Sequence, residues 1–389
     1  MDYQNIATHK NANNPYKVLL LIYFMVARWS ATRINTANYC RMRHWLTYVD
    51  PRKPKRLRLS VYVKGSLLHG LIENFWEKLG TPEEVDKKSS RKKYHDAEGF
   101  AKYAKGKWQS IIIADNHLRE KYEQEQDEEE AEKLENKLIY WRDNNDKYQI
   151  KNTLPKICKP LFDSLHEEGP PLFTELSFNF VIGDKRFRGK IDEVRKRDGK
   201  IVIRDYKSGR PWVGYMKASF DTQLTLYNVG LCSLAHENEE IAEKLGLEKK
   251  VVEQYMGNPR FIDPNFIVEF FMIEALSINL GPRIKTIPPA IVSSYRNDNH
   301  FYELIKMIKG SQRDIDTGNI YPERGRKCDS CDVRHVCEDQ LYMSKAGELT
   351  DKNGQKLFSF VIPYFMLKDE QESEYEQGRL RLRRKSVRS

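Results

Sequence analysis

The chain has 389 residues, 40% of them hydrophobic, enough for one large domain or two ordinary ones with a real core, which excludes a disordered chain. Its formal net charge of +10 favours a polyanionic partner, nucleic acid first, and is also compatible with a generally charged surface. Six cysteines exclude a disulfide-built fold at this length, and no cleavable signal peptide opens the chain, so the expected location is the reducing cytoplasm.

In chain order, the apolar stretch VLLLIYFMVA at 18–27 is shorter than the roughly 20 residues a membrane-spanning helix needs. It predicts a buried helix and no membrane segment. A basic stretch, PRKPKRLRL, follows at 51–59. In GSLLHGLIENFWEKLG, residues Leu68, Leu71, Ile72, Phe75 and Leu79 repeat at helical spacing and Gly80 ends the run, predicting an amphipathic helix. From Asp115 to Tyr148 the chain is charge-rich with sparse apolar positions, the pattern of an exposed helix or helical hairpin. Residues 173–207 alternate apolar with polar and carry turn pairs at Gly183-Asp184 and Asp198-Gly199, predicting a β-meander. A helix over FDTQLTLYNVGLCSLA, a buried strand over FIVEFFMIEAL and a helix over NDNHFYELIKMIKGS complete an alternation of strands and helices around one sheet. The tail RLRLRRKSVRS is basic.

A two-residue turn at Asp198-Gly199 pairs Arg197 with Lys200, and the same register sets Asp192 opposite Asp205. Two carboxylates ~5 Å apart on neighbouring strands repel each other unless a cation sits between them. Strand alternation puts Lys207 on the face of Asp205 and turns Tyr206 away. Hard oxygen ligands suit Mg²⁺ or Mn²⁺, and a nearby ammonium can orient water or stabilise developing charge, which is the chemistry of phosphodiester hydrolysis. The plain alternative is an ordinary ion pair of Asp205 with Lys207 beside a turn aspartate. His69 and Glu73, one helical turn apart, offer a nitrogen ligand and a helper carboxylate. Gln223 and Tyr227, four apart on a predicted helix, can steady Lys207 or touch nucleic acid.

Near the C-terminus, KCDSCDVRHVCED places Cys328, Cys331 and Cys337 within ten positions, three thiolates for a metal or cluster that takes four ligands. His335 can complete a Cys₃His zinc site, although the spacing is not that of usual fingers or ribbons. Cys158 and Cys232 are further candidates, the latter on an apolar helix face where a thiol usually packs.

In order along the chain, GSLLHGLIE, GKIDEV, DYKSG, QLTLY and Cys-x2-Cys-x5-Cys resemble the RecB-type branch of the PD-(D/E)XK nucleases. The likeness is to its iron–sulfur members in particular: CRISPR-associated adaptation nucleases, the AddB nuclease domain and eukaryotic single-strand exonucleases. The resemblance covers about Thr36 to Cys337. It implies an α/β, restriction-endonuclease-like core, a central mixed sheet flanked by helices, with N- and C-terminal helical regions joined by a cluster. By the family pattern, Cys40 in YCRMRHWL joins Cys328, Cys331 and Cys337 around a 4Fe–4S cluster. His69, Asp192, Asp205 and the backbone carbonyl of Tyr206 bind Mg²⁺ or Mn²⁺, Lys207 serves the attacking water, and Gln223 and Tyr227 support the site. Glu175 stands where relatives often carry a glutamate. The Asp-Tyr-Lys motif replaces the Glu-x-Lys of other branches and keeps the ligand oxygen.

The expected organisation is an N-terminal helical region (1–114), a charged insertion (115–150), the nuclease core (151–280), a C-terminal helix with the cysteine motif (281–340) and an extension (341–389). The expected function is a metal-dependent deoxyribonuclease, an exonuclease on single-stranded ends or flaps in repair, recombination or phage DNA processing. Tryptophan, tyrosine and arginine between 39 and 48 are placed to stack on or grip a strand. The alternatives are a CRISPR spacer-trimming nuclease with an integrase partner and a non-catalytic DNA-binding subunit of a helicase–nuclease complex. No Gly-x4-Gly-Lys-Ser/Thr loop occurs, so any helicase is a separate partner.

Overall fold

In the computed structural model, residues 28–50, 56–79, 96–141, 146–208, 218–274, 289–323, 328, 331–337, 348–350 and 356–359 are described. The apolar stretch at 18–27, most of the basic stretch and the basic tail lie outside them. No described helix is long and apolar enough to cross a membrane. The chain forms two compact units, one of residues up to 56 with 181–187 and 306 onward, the other of 57–180 with 188–305.

In the first unit, β1 (Arg28–Trp29) runs parallel to residues 186–187. Ser30 caps α1 (Ala31–Tyr39), its side chain accepting from Arg33 N at 3.3 Å. Then come α2 (Arg41–His44) and one π-helical turn, Trp45–Val49. Their apolar side chains Met42, Trp45, Leu46 and Val49 pack with Ile315, Ile320, Val333 and Val336 into a small core. Charge reinforces this packing. Arg41 Nε is 2.5 Å from Asp314 and its Nη1 donates to Tyr321 at 2.6 Å, while Arg43 meets Asp332 at 2.9 Å.

The second unit opens with β2 (Arg58–Leu59) and α3 (Ser60–Leu79), whose buried Leu68, Leu71, Ile72 and Phe75 follow the predicted stripe. Next are α4 (Ala97–Gln124), α5 (Glu128–Glu135), β3 (Ile139–Tyr140) and α6 (Asp146–Glu168). The charged stretch is exposed as expected through the end of α4 and all of α5. At its borders, however, it is drawn inward. Buried Asp115 accepts hydrogen bonds from Ile139 N and Trp141 Nε1, both at 2.7 Å, and Ile139 joins the core.

The meander is β4 (Phe173–Ile182), β5 (Lys185–Arg197) and β6 (Lys200–Lys207). Asp198 and Gly199 both take positive φ, +52° and +76°, as a two-residue turn of the primed type requires. The register it sets runs antiparallel from Arg197↔Lys200 to Glu193↔Arg204. After α7 (Thr222–Glu237), α8 (Glu239–Leu245) and α9 (Lys249–Val252), β7 (Ile267–Met272) returns parallel to β6. A parallel return needs such a helical crossover. Strand β8 (Ala290–Tyr295) closes the order β5-β6-β7-β8 antiparallel to β7, β4 lying on β5, and α10 (Asp298–Asp316) follows. The sheet is mixed and helix-flanked, a restriction-endonuclease-like fold. A separate antiparallel pair, β9 (Glu348–Thr350) and β10 (Lys356–Ser359), ends the described chain.

Two features place the helix and strands around the site. The ring of Phe178 lies against both Gly189 and Gly230; a Cβ at Gly230 would stand 2.7 Å from ring carbons, and one at Gly189 would overlap the ring outright. Glycine at both positions therefore lets α7 close on the sheet with one ring between them. On the opposite face of β5 and β6, Arg204 donates to Glu269 and Glu168, each at 2.8 Å, and the Tyr206 hydroxyl donates to Glu193 at 2.5 Å. Arg195 pairs with Glu193 and Glu168. Such charges persist in an interior only when paired and hydrogen-bonded, as these are.

Candidate active site

Asp192 and Asp205 occupy the positions just beyond the last register pair, Glu193↔Arg204. Asp205, 1% exposed, accepts from Gln223 Nε2 through Oδ1 at 2.6 Å. Its Oδ2 is 2.6 Å from Lys207 Nζ, an ion pair at hydrogen-bond distance. Asp192 Oδ2 accepts from Tyr206 N at 2.9 Å and lies 3.5 Å from His69 Nδ1. Gln223 is the hub. Its Oε1 accepts from Lys207 Nζ at 2.8 Å, and its Nε2 also donates to the Tyr227 hydroxyl at 2.7 Å. Both residues sit at the start of α7, which Asp221 caps by accepting from Gln223 N and Leu224 N at 2.8 and 3.3 Å.

The electrostatics follow from this crowding. Burial first, and then the negative charge of Asp205, hold the Asp192 carboxyl well above the usual carboxylate range. Burial also lowers His69, so its ring is neutral near pH 7 and keeps a lone pair for a ligand. Burial works against the Lys207 ammonium too, but the Asp205 carboxylate outweighs it and the net shift is upward. Asp221 is raised, chiefly by burial. Two carboxylates that repel, beside a neutral imidazole, are the donor set of a hard divalent cation. Among the described residues no trio of His, Cys, Asp or Glu side chains encloses a metal position as it stands.

Sequence reasoning thus named residues that the structure gathers: His69, Asp192, Asp205, Tyr206, Lys207, Gln223 and Tyr227. Glu175 pairs with Lys190, and its charge is felt at both Asp192 and His69. Glu73 acts on the same Lys190. Asp221 was missed, although an aspartate just before an apolar-periodic run is a helix-start signal. The Glu193–Arg204 pair behind the site was missed as well; the hairpin register places these opposite charges face to face.

Of the cysteines, Cys40, Cys331 and Cys337 pack against the small core of the first unit, and the Cys328 carbonyl accepts from Cys331 N at 3.1 Å. The Cys331 thiol is raised, mainly by burial, with a contribution from Cys40. All six cysteines are free thiols. Cys158 and Cys232 are fully buried, and burial pushes the Cys158 thiol up to about 12.

A mixed sheet that brings Asp and Asp-x-Lys together from adjoining strands defines a restriction-endonuclease-like hydrolase. The profile of the PD-(D/E)XK nuclease superfamily matches residues 28–338, so the chain belongs to that superfamily, and membership implies a nuclease acting on nucleic acid. Among curated proteins, none matches the chain.

Proposed function

We propose that the protein is a Mg²⁺- or Mn²⁺-dependent deoxyribonuclease of the RecB type, an exonuclease on single-stranded DNA ends or flaps. One observation carries the catalytic reading: a single glutamine, Gln223, ties the Asp205 carboxylate and the Lys207 ammonium together at hydrogen-bond distance. An ordinary surface ion pair has no such third partner, half-buried and bonded to both of its members. His69, Asp192, Asp205 and the Tyr206 carbonyl would hold the ion, which when bound supplies Lewis acidity toward a phosphate and its water. Lys207, kept charged by Asp205 and steered by Gln223, orients the attacking water and stabilises negative charge as the P–O bond breaks. Tyr227 fixes the Gln223 amide, and the Tyr206 N–H fixes Asp192. Strand preference and end-directed action rest on the family resemblance and on the net positive charge.

The same reading places a 4Fe–4S cluster on Cys40, Cys328, Cys331 and Cys337. Three of these thiols share one apolar cluster, none is in a disulfide, and the two rival cysteines are sealed in the core of the second unit. The test is incubation of anaerobically purified protein with end-labelled single- and double-stranded DNA in Mg²⁺, Mn²⁺ or chelator. Metal-dependent release of label from single strands is the expected result. Cleavage that persists in chelator, or no cleavage by wild type, overturns the proposal.

A further inference from the structure

Phe220 is the most exposed large apolar side chain among the described residues, at 74%. A lone exposed apolar residue needs no explanation in itself. Its placement does. Phe220 is one peptide from Asp221, the cap of α7, and three residues before Gln223, which holds Asp205 and Lys207. The backbone on either side is anchored. Arg296, 1% exposed, donates through Nη2 to Ala218 O at 2.5 Å and to Asp221 O at 3.4 Å, and through Nε to Thr225 Oγ1 at 2.9 Å. The guanidinium thus clasps the residues flanking Phe220 and the first turn of α7 from inside, while the ring stands in water.

Burying a phenylalanine ring ordinarily stabilises a fold, and here that gain is forgone at a point held by buried hydrogen bonds. A solvent-facing aromatic on anchored backbone, next in sequence to the residues that hold Asp205 and Lys207, matches the way proteins hold unpaired strands, since every base offers a π-face and stacking tolerates any sequence. Bases inside a duplex already stack on their neighbours and have no face to offer. Resting on the nuclease reading above, we propose that Phe220 is a specificity-determining residue whose ring stacks an unpaired base adjoining the phosphate engaged at Asp205 and Lys207.

The test uses the full chain with Phe220→Ala and Phe220→Trp on end-labelled single strands in which one abasic nucleotide is walked past the cleavage position. With wild type, KM should rise about 5- to 100-fold when the abasic nucleotide occupies the stacked register. Phe220→Ala should show a rise of that size on the intact strand and no further rise on the abasic one, with kcat little changed. Phe220→Trp should restore tight use of the intact strand. Wild-type KM and wild-type abasic sensitivity in Phe220→Ala overturn the proposal. In parallel, Asp205→Asn protein with and without Phe220→Ala is titrated with fluorescein-labelled single strands in Ca²⁺. Unchanged anisotropy between the two also overturns it. If wild type cleaves nothing, the nuclease reading fails, while this binding comparison still decides the stacking.

Discussion

The carboxylate site and the cysteine-bearing unit are assembled in different ways. Asp192, Asp205, Lys207, Gln223 and Tyr227 come from two adjoining strands and the next helix; hydrogen bonds through Gln223 tie the last four together, and the Tyr206 N–H holds Asp192. Cys40 and Cys328 are separated by most of the chain. What gathers their neighbourhood is a small apolar cluster and a few ion pairs, among them Arg41 with Asp314 and Arg43 with Asp332. The difference teaches that the first site is held by hydrogen bonds between its own polar side chains, whereas the thiols of the second are gathered by apolar packing and ion pairs around them.

The largest expected effect tests the first half of that contrast. Asp205→Asn or Lys207→Ala should lower the cleavage rate by about 10³-fold or more while circular dichroism stays native. Near-wild-type turnover would reject the site. A smaller effect tests its bonding: Gln223→Ala should cost about 10²-fold in kcat with little change in KM for DNA, because Lys207 and Asp205 lose their common partner. An equal rise in KM would instead make Gln223 a substrate contact.

On the other side of the comparison, Cys40→Ala should remove the visible absorbance and most of the iron, and lower unfolding free energy by on the order of 4–5 kcal/mol in the entropic loop-closure picture. Cys158→Ala should leave iron untouched. Full iron content in Cys40→Ala would exclude it as the fourth ligand. The smallest effect concerns pH. Burial first, and then the positive charge of Arg33, lower His44 in the first unit to about 3. In the unfolded chain an ordinary histidine titrates near 6.5. The stabilisation is therefore complete above that value and lost as pH falls toward 3, about 2 kcal/mol of it by pH 5. Urea midpoints at pH 7 and pH 5 measure it, and His44→Gln should flatten the difference.

Much of the site was legible because a two-residue turn fixes a register. Once Asp198-Gly199 is read as the hairpin turn, the positions of Asp192, Asp205 and Lys207 follow by counting, and the coordinates carry that count as far as Glu193↔Arg204. The stripe of α3 was legible for the same reason, since Leu68, Leu71 and Phe75 have no polar competitors at their spacing. What stayed hidden was the polar interior. Glu193, Arg195 and Arg204 are charged residues that the alternation leaves without a covering partner, yet they are buried, because the end of α6 brings Glu168 over them. Alternation reports which residues share a face and is silent on what covers it. Arg296 was hidden likewise: its partners are mostly backbone carbonyls and hydroxyls, and these leave no charge pattern in the sequence.

The Phe178 ring, clasped between two residues without side chains, has a mechanical consequence. The approach of α7 to the strands is limited here by one aromatic plate, and Gln223, which reaches toward Asp205, is carried on the same helix. Thinning that plate with Phe178→Leu, or wedging it with Gly230→Ala, adjusts the reach in opposite senses. An enzyme built this way carries a spacer that selection can trim without altering a single reacting group.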